Sequence, residues 1–266
     1  MLIFDHTDSI LDLWRQGTNG THSHLEQLHL IDKSVPIAIR GMTKRKIMAR
    51  CQQEGRDYYY IDTGYLGNLG KRKDYHRVVK NNVQHLLPID VPDDRFKRLE
   101  GSMPSSTPLF FKGWRKGGSS ILVVTPSEKP CLYYGITRDE WLKSTLDTLK
   151  KHTDKKIIIR DKPPRRDRVG DSSIYRQMID EKVFALVTYN SIAATEAVSF
   201  GVPAFATAPN AAHSVCSKDL SQIENPYYPS REQVLKWLHW LAYCQYNTRE
   251  LQDGTAYKIQ KEYNLC

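Results

Sequence analysis

With 266 residues, 40% hydrophobic and 26% charged, the chain has the composition of a globular protein and the length of one large domain or of two lobes of roughly 100 to 150 residues. Its longest apolar runs are far too short to span a bilayer, and the start MLIFDHTDSI lacks the basic n-region of a secretory signal. Cys51, Cys131, Cys216, Cys244 and Cys266 are scattered without CxxC spacing, which argues against a zinc site or a disulfide framework and for a cytoplasmic location.

The formal net charge of +9 is unevenly placed, because residues 40–116 hold 17 Lys and Arg against 8 Asp and Glu while the rest balances. Such clustering is the footprint of a polyanionic partner, nucleic acid foremost; a solvated basic face is the plainer alternative.

MLIF reads as a short first strand, followed by a polar amphipathic stretch through Asp32. VPIAI is a second buried strand ending at Arg40-Gly41. TKRKIMARCQQEG then offers Thr43 as N-cap, Ile47, Met48 and Cys51 on one side, and Gly55 as a stop. DYYYIDTGYLG is a third strand running into a glycine-rich turn. Strand, helix and strand in short succession predict parallel βαβ units. Residues 68–119 show no clear period, and EGSMPSSTPLFFKGWRKGGSS reads as a linker between lobes.

From Ile121 the alternation resumes with the strand ILVVTP. TRDEWLKSTLDTLKKH is a helix opened by a Thr137–Glu140 capping box, with Trp141, Leu142, Leu146 and Leu149 as its apolar face. KKIIIRDKPP is a strand, SSIYRQMIDE a short helix, and ALVTYNSIAATEAVSFGVPAFATA a strand, helix and strand. PSREQVLKWLHWLAYCQYNTREL reads as one long amphipathic helix facing inward with Val234, Leu235, Leu238, Leu241 and Ala242. The expected fold is α/β with two Rossmann-like lobes. Residues 1–118 form a small, irregular, basic lobe, and residues 119–266 a regular one ending in the amphipathic helix.

In open parallel sheets ligands bind outside the carboxyl ends of the strands. Asn190 and Ser191 follow the strand 184–189 directly, and a helix starting near Ile192 aims free N–H groups at the same edge, which favours phosphate. Thr195 and Glu196 lie one turn on, with Glu196 suited to sugar or ribose hydroxyls. Ordinary helix capping accounts for the same residue types.

VTYNSIAATEAVSFGVPAF resembles the donor-site signature of glycosyltransferases of GT-B architecture, above all that of bacterial capsule and wall-polymer transferases. There a strand, a Ser/Asn-Ser turn, a helix with an acidic residue and a Gly-x-Pro turn bind a nucleotide-sugar. IIIRDKPP is similar to the upstream basic strand end of those families, with Lys162 near the place a histidine takes in them. DLSQIENPYYPSREQVLKWLHWLAYCQYNTREL resembles the C-terminal part of short glycosyltransferase-like proteins common in bacteriophage genomes. The likeness covers roughly residues 120–255, and the first half matches loosely at IAIRG and DTGYLGN. It implies a hexosyltransferase-like enzyme, in the host cytoplasm if phage-encoded, with no tightly bound cofactor and a nucleotide-sugar, UDP-linked, as donor. Arg160, Lys162, Thr188, Asn190, Ser191 and Thr195 would meet the donor's phosphates and Glu196 its hydroxyls. No Asp-x-Asp chelate occurs in the sequence, so stabilisation by fixed groups is expected, with Mg²⁺ as an aid.

Asp62 is the candidate base, at the end of YYYI and before TGYLG, where glycines admit a close ligand; a turn cap is the alternative. His22, His24 and His76 are further candidates. Lys71, Arg72, Lys73, Arg77 and Lys80 interleave with Tyr75 and His76, a composition suited to phosphate contacts and base stacking. Together with Lys44, Arg45, Lys46, Arg115 and Lys116 they predict a nucleic-acid face. The resulting expectation is sugar transfer to hydroxylated bases of phage DNA, with no membrane partner. A surface polysaccharide or lipid acceptor is one alternative; a non-catalytic nucleic-acid-binding protein on a transferase scaffold is another.

Overall fold

The computed structural model describes residues 1–3, 7–67, 74–103, 110–161 and 173–265. Contacts group them into two units, the first drawing on residues up to 67, on 74–85 and on 242–265, the second on 86–241.

Unit one grows from βαβ steps. β1 (Leu2–Ile3), α1 (Ser9–Gly17), β2 (Thr21–His22), β3 (Ile37–Arg40), α2 (Arg45–Glu54) and β4 (Tyr58–Thr63) follow in order. β2, β1, β3 and β4 pair in parallel, with Leu2 opposite both Thr21 and Ile37, and Ile37 opposite Tyr58. α1 starts where the Asp8 carboxylate accepts from the N–H groups of Ile10 and Leu11, each at 3.0 Å, leaving Ile10, Leu11 and Trp14 on the buried stripe. α2 ends on Gly55 at φ +67, as expected, but its N-cap is Lys44 rather than Thr43, after a short 3-10 turn.

The basic stretch around Tyr75, read from sequence as irregular, contains β5 (Tyr75–Lys80), which pairs antiparallel with β4. Val78 and Val79 are fully buried, and Arg77 is drawn in with them by internal partners. That pairing is a non-local one, invisible in a stretch this rich in charge.

Unit two opens with α3 (Asp94–Ser102), which buries Phe96 and Leu99 in a segment that shows no period in the sequence. β6 (Ser120–Val124), α4 (Glu128–Tyr133), α5 (Arg138–His152), β7 (Lys156–Arg160), α6 (Ile174–Asp180), β8 (Val183–Thr188), α7 (Ala193–Phe200) and β9 (Ala204–Ala206) follow. Their four strands are all parallel in the order β7-β6-β8-β9. Ile121, Val123, Ala185, Val187 and Phe205 form the core with Trp141 and Leu149 of α5. Burying each of the larger apolar side chains contributes about 1.5–3 kcal/mol. Burial on both faces of β6 and β8 is why those two strands read as unbroken apolar runs. The α5 capping box is complete: Thr137 Oγ1 accepts from the Glu140 N–H at 3.2 Å, and the Glu140 carboxylate accepts from the Thr137 N–H at 2.8 Å.

α8 (Arg231–Tyr243) buries Val234, Trp237, Leu238, Trp240 and Leu241, whereas Leu235 is only half-buried. It does not run on through residue 251 as the sequence suggests. β10 (Gln245–Asn247) pairs antiparallel with β5 instead, and α9 (Thr248–Gln252) and α10 (Thr255–Tyr263) complete unit one. Gln245 holds the turn after β4: its Oε1 accepts from the N–H groups of Tyr65 and Leu66 at 2.7 and 2.8 Å, and its Nε2 donates to the Leu66 carbonyl at 2.9 Å.

A boundary at 118/119 therefore lies inside unit two. A Cβ on Gly118 would stand 2.4 Å from the Phe184 nitrogen, and the Arg115 N–H donates to the Gly201 carbonyl at 2.6 Å. The α/β class is as expected; the sheet of unit two is all parallel, whereas that of unit one is mixed. Among the described residues no helix is long and apolar enough to cross a membrane.

Candidate functional site

β6 connects outward to β7 while β8 connects outward to β9, so the carboxyl ends of β6 and β8 flank the point where the strand order reverses. Residues 125–127 and 189–192 emerge there. Thr188 ends β8 fully buried, and its hydroxyl donates to the Val124 carbonyl at 3.1 Å, tying the two strands together. Asn190 follows, also buried. Ser191 Oγ accepts from the Ala193 N–H at 3.2 Å, which leaves the hydroxyl's own proton for another acceptor. The N-cap of α7 is Ile192, which makes no side-chain cap bond, so Ser191 stands one residue before the cap and capping does not exhaust what its side chain can do.

Arg160 and Glu196, on β7 and α7, lie within electrostatic reach of each other. Arg160, at the end of β7, donates from Nη1 to Gln177 Oε1 on α6. Burial pushes its guanidinium pKa down, and the Glu196 carboxylate opposes that shift. Burial, reinforced by Glu196, also raises the Tyr175 hydroxyl well above its ordinary range. Thr195 is fully buried, and its hydroxyl has no hydrogen-bond partner among the described residues. Lys162 lies outside the described residues.

Sequence reasoning missed two supports of this edge. Asn210, after β9, donates from Nδ2 to the Ser191 carbonyl at 3.0 Å and accepts from the Ala212 N–H at 2.9 Å, fixing the loop 207–212 against the turn. Thr125, after β6, donates to Asp161 Oδ1 at 2.8 Å, and Arg138 binds the same carboxylate. The Pro-Asn pair at 209–210 was the available signal for the first. Nothing local signalled the second.

In unit one, Asp62 is held from three sides. Tyr60 donates to Oδ2 at 2.7 Å, the Thr63 N–H donates to Oδ1 at 2.8 Å, and Arg77 pairs with Oδ2 at 3.3 Å. Arg77 also donates to the Thr63 carbonyl at 2.8 Å and lies over the Tyr60 and Tyr65 rings. Asp62 thereby balances a buried cation, and its side chain stays 34% exposed. Gly64 leaves room for Gln245 and Tyr75, since a Cβ there would stand 2.8 Å from Gln245 Oε1. Of the histidine candidates, His22 sits 3.6 Å from Asp12, His24 caps the short 3-10 helix at 25–30, and His76 is buried on β5.

The described basic residues divide between the two units. Lys44, Arg45 and Lys46 stand at the start of α2, the first two half-buried and the third exposed. Tyr75 opens β5 and accepts at its carbonyl from the Gly64 N–H at 2.8 Å. Lys80 pairs with Asp57 at 2.9 Å. Those residues belong to unit one, whereas Arg115 and Lys116 belong to unit two. Arg115 Nε donates to the Phe200 carbonyl at 3.1 Å at the end of α7, and Lys116 lies over the Tyr228 ring. Lys71, Arg72 and Lys73 lie outside the described residues.

No protein-family model and no curated protein matches the chain. Two solved structures from Thermosulfurimonas dismutans resemble it in three dimensions. The KpsC beta Kdo 2,4 transferase has a TM-score of 0.54 at 12% identity, over 92% of this chain and 91% of that one. The KpsC beta Kdo 2,7 transferase has a TM-score of 0.51 at 13% identity, over 97% and 98%. At such identity the likeness is one of architecture: the chain has the α/β fold of these sugar transferases.

Proposed function

We propose that the protein transfers a sugar from a nucleotide-sugar to a saccharide acceptor. What carries the reading is that Ser191, the start of α7 with Glu196, and Arg160 at the end of β7 all stand at the carboxyl edge of the parallel sheet of unit two, where open parallel sheets hold ligands. The fold likeness to two Kdo transferases supports it.

In such a transfer the bond between the anomeric carbon and the donor's phosphate oxygen breaks. The acceptor hydroxyl oxygen bonds to that carbon, and its proton passes to a base. Charge developing on the departing phosphate would be met by the amino-terminal dipole of α7, the free proton of Ser191 and the Arg160 guanidinium. Asn190 and Thr195 flank that position, and Glu196, half-buried one turn into α7, suits the sugar hydroxyls. Asp62 is the base candidate, because its partly exposed carboxylate is already fixed in direction by Tyr60 and Arg77.

A saccharide acceptor is favoured over DNA because the fold neighbours are Kdo transferases and because Arg77, Lys80 and Arg115 are engaged internally. Incubation with labelled UDP- and CMP-linked sugars, offering capsule oligosaccharide or hydroxymethylated DNA, tests both halves. Label is expected in the saccharide. Ser191→Ala and Glu196→Gln should lower kcat/KM by about tenfold or more, and Asp62→Asn should lower kcat with donor affinity unchanged. Label in DNA would reverse the choice of acceptor, and a chain that neither binds nor turns over any donor would end the reading.

A further inference from the structure

The point where the strand order reverses has an aromatic side that the proposed transfer does not use. Tyr189 follows β8 directly, and its ring meets that of Tyr134 edge-on with centroids 5.9 Å apart. Tyr134 follows the last residue of α4 and meets Tyr133 edge-on at 4.9 Å. Trp141 of α5 lies 6.0 Å from Tyr189. Tyr189 and Trp141 are buried, whereas Tyr133 and Tyr134 are half-buried and Leu132 beside them is 46% exposed. Gly135, at φ +73, ends the α4 segment, so the tyrosine pair is followed by a turn. On the other side of the same strand ends lie the polar turn 190–192 and the start of α7. One flank is therefore aromatic and partly open, the other polar and suited to an anion.

We infer that Tyr134, backed by Tyr189 and continued by Tyr133, stacks on the nucleobase of the donor. The nucleotide then lies across the strand-order reversal, with its base on the α4 side and its phosphate on the α7 side. This rests on the reading of unit two as a donor site. An aromatic face of this kind takes any base, because every base presents a π surface, and one stacking contact is worth about a tenfold change in affinity.

Calorimetric titration of the full chain with UMP, CMP, AMP and inorganic pyrophosphate tests the assignment. Tyr134→Leu should weaken mononucleotide binding about tenfold, while Tyr134→Phe stays near wild type and pyrophosphate binds all three alike. Tyr133→Leu supplies the same comparison at a more peripheral ring, and thermal melts establish that each variant is folded. Nucleotide affinity unchanged in both Leu variants, or pyrophosphate weakened in parallel, would overturn the stacking role. A wild-type chain that binds pyrophosphate but no nucleotide would overturn it too, leaving the anion site standing. Binding of neither would overturn the donor site itself.

Discussion

His85 is fully buried, its Nδ1 is 3.1 Å from the Tyr65 hydroxyl, and its pKa is pushed from 6.5 down to about 3 by burial first and by the Arg77 charge second. Between those two values an unfolded chain holds a proton that the folded chain does not. Stability is therefore complete above pH 6.5 and is lost as the pH falls toward 3, with a slope of about 1.4 kcal/mol per pH unit. Urea melts of wild type and His85→Gln from pH 7 to 4 should show a flatter acid limb in the variant by roughly that slope; parallel limbs would contradict a neutral buried imidazole. Arg77 and Asp62 mark the limit of what single residues disclose. Asn190 and Ser191 could be placed from sequence because strand, turn and helix are adjacent there. The partner of Asp62 could not, because Arg77 reaches it only through the antiparallel pairing of β4 and β5. The same pairing turns a residue expected on a nucleic-acid face into a buried one.

Elements were legible where burial left a period or a cap in the local sequence. β6 and β8 read as unbroken apolar runs, and the α5 capping box was visible as Thr137 and Glu140. β10 was not legible, since the Leu-Ala-Tyr-Cys-Gln run suits a helix and only pairing with β5 makes it a strand. The turn after α7 offers a measurement of how tightly such elements fit. Gly201 sits at φ +85, and a Cβ there would stand 2.1 Å from the Gly113 carbonyl oxygen. Gly201→Ala should cost about 1–3 kcal/mol from left-handed backbone strain alone, with the clash added to it. Thr137→Ala, which removes one capping bond, should cost about 1 kcal/mol. Chemical denaturation of the two variants side by side checks the order; equal losses would mean that the backbone at 113 and 201 yields to a methyl group.

At the scale of the molecule, charge and connectivity point in different directions. The excess of basic residues is continuous in sequence, but the described members of that stretch divide between the two units at residue 85. A boundary placed by composition consequently misses one placed by packing. Connectivity is decisive for unit one, whose sheet needs β10 and whose β5 carbonyl at Val78 accepts from Gln260 Nε2 at 2.8 Å. A chain cut after Leu241 should keep protection from hydrogen exchange in β6 and β8 and lose it in β3 and β4. Loss in both sets, or in neither, would show that the units are not independent in this sense.

That late-arriving strand sets a timetable for synthesis. Chains emerge from the ribosome beginning at the N-terminus at about 5–20 residues per second, so β5 must wait for residues 245–247 before its second edge is paired. Through that interval it presents unsatisfied backbone groups of the kind that template aggregation. The strands of unit two, all within residues 120–206, find their partners as they appear. The half encoded later is thus able to fold earlier, and chaperones acting on the nascent protein would be needed at its first residues rather than its last.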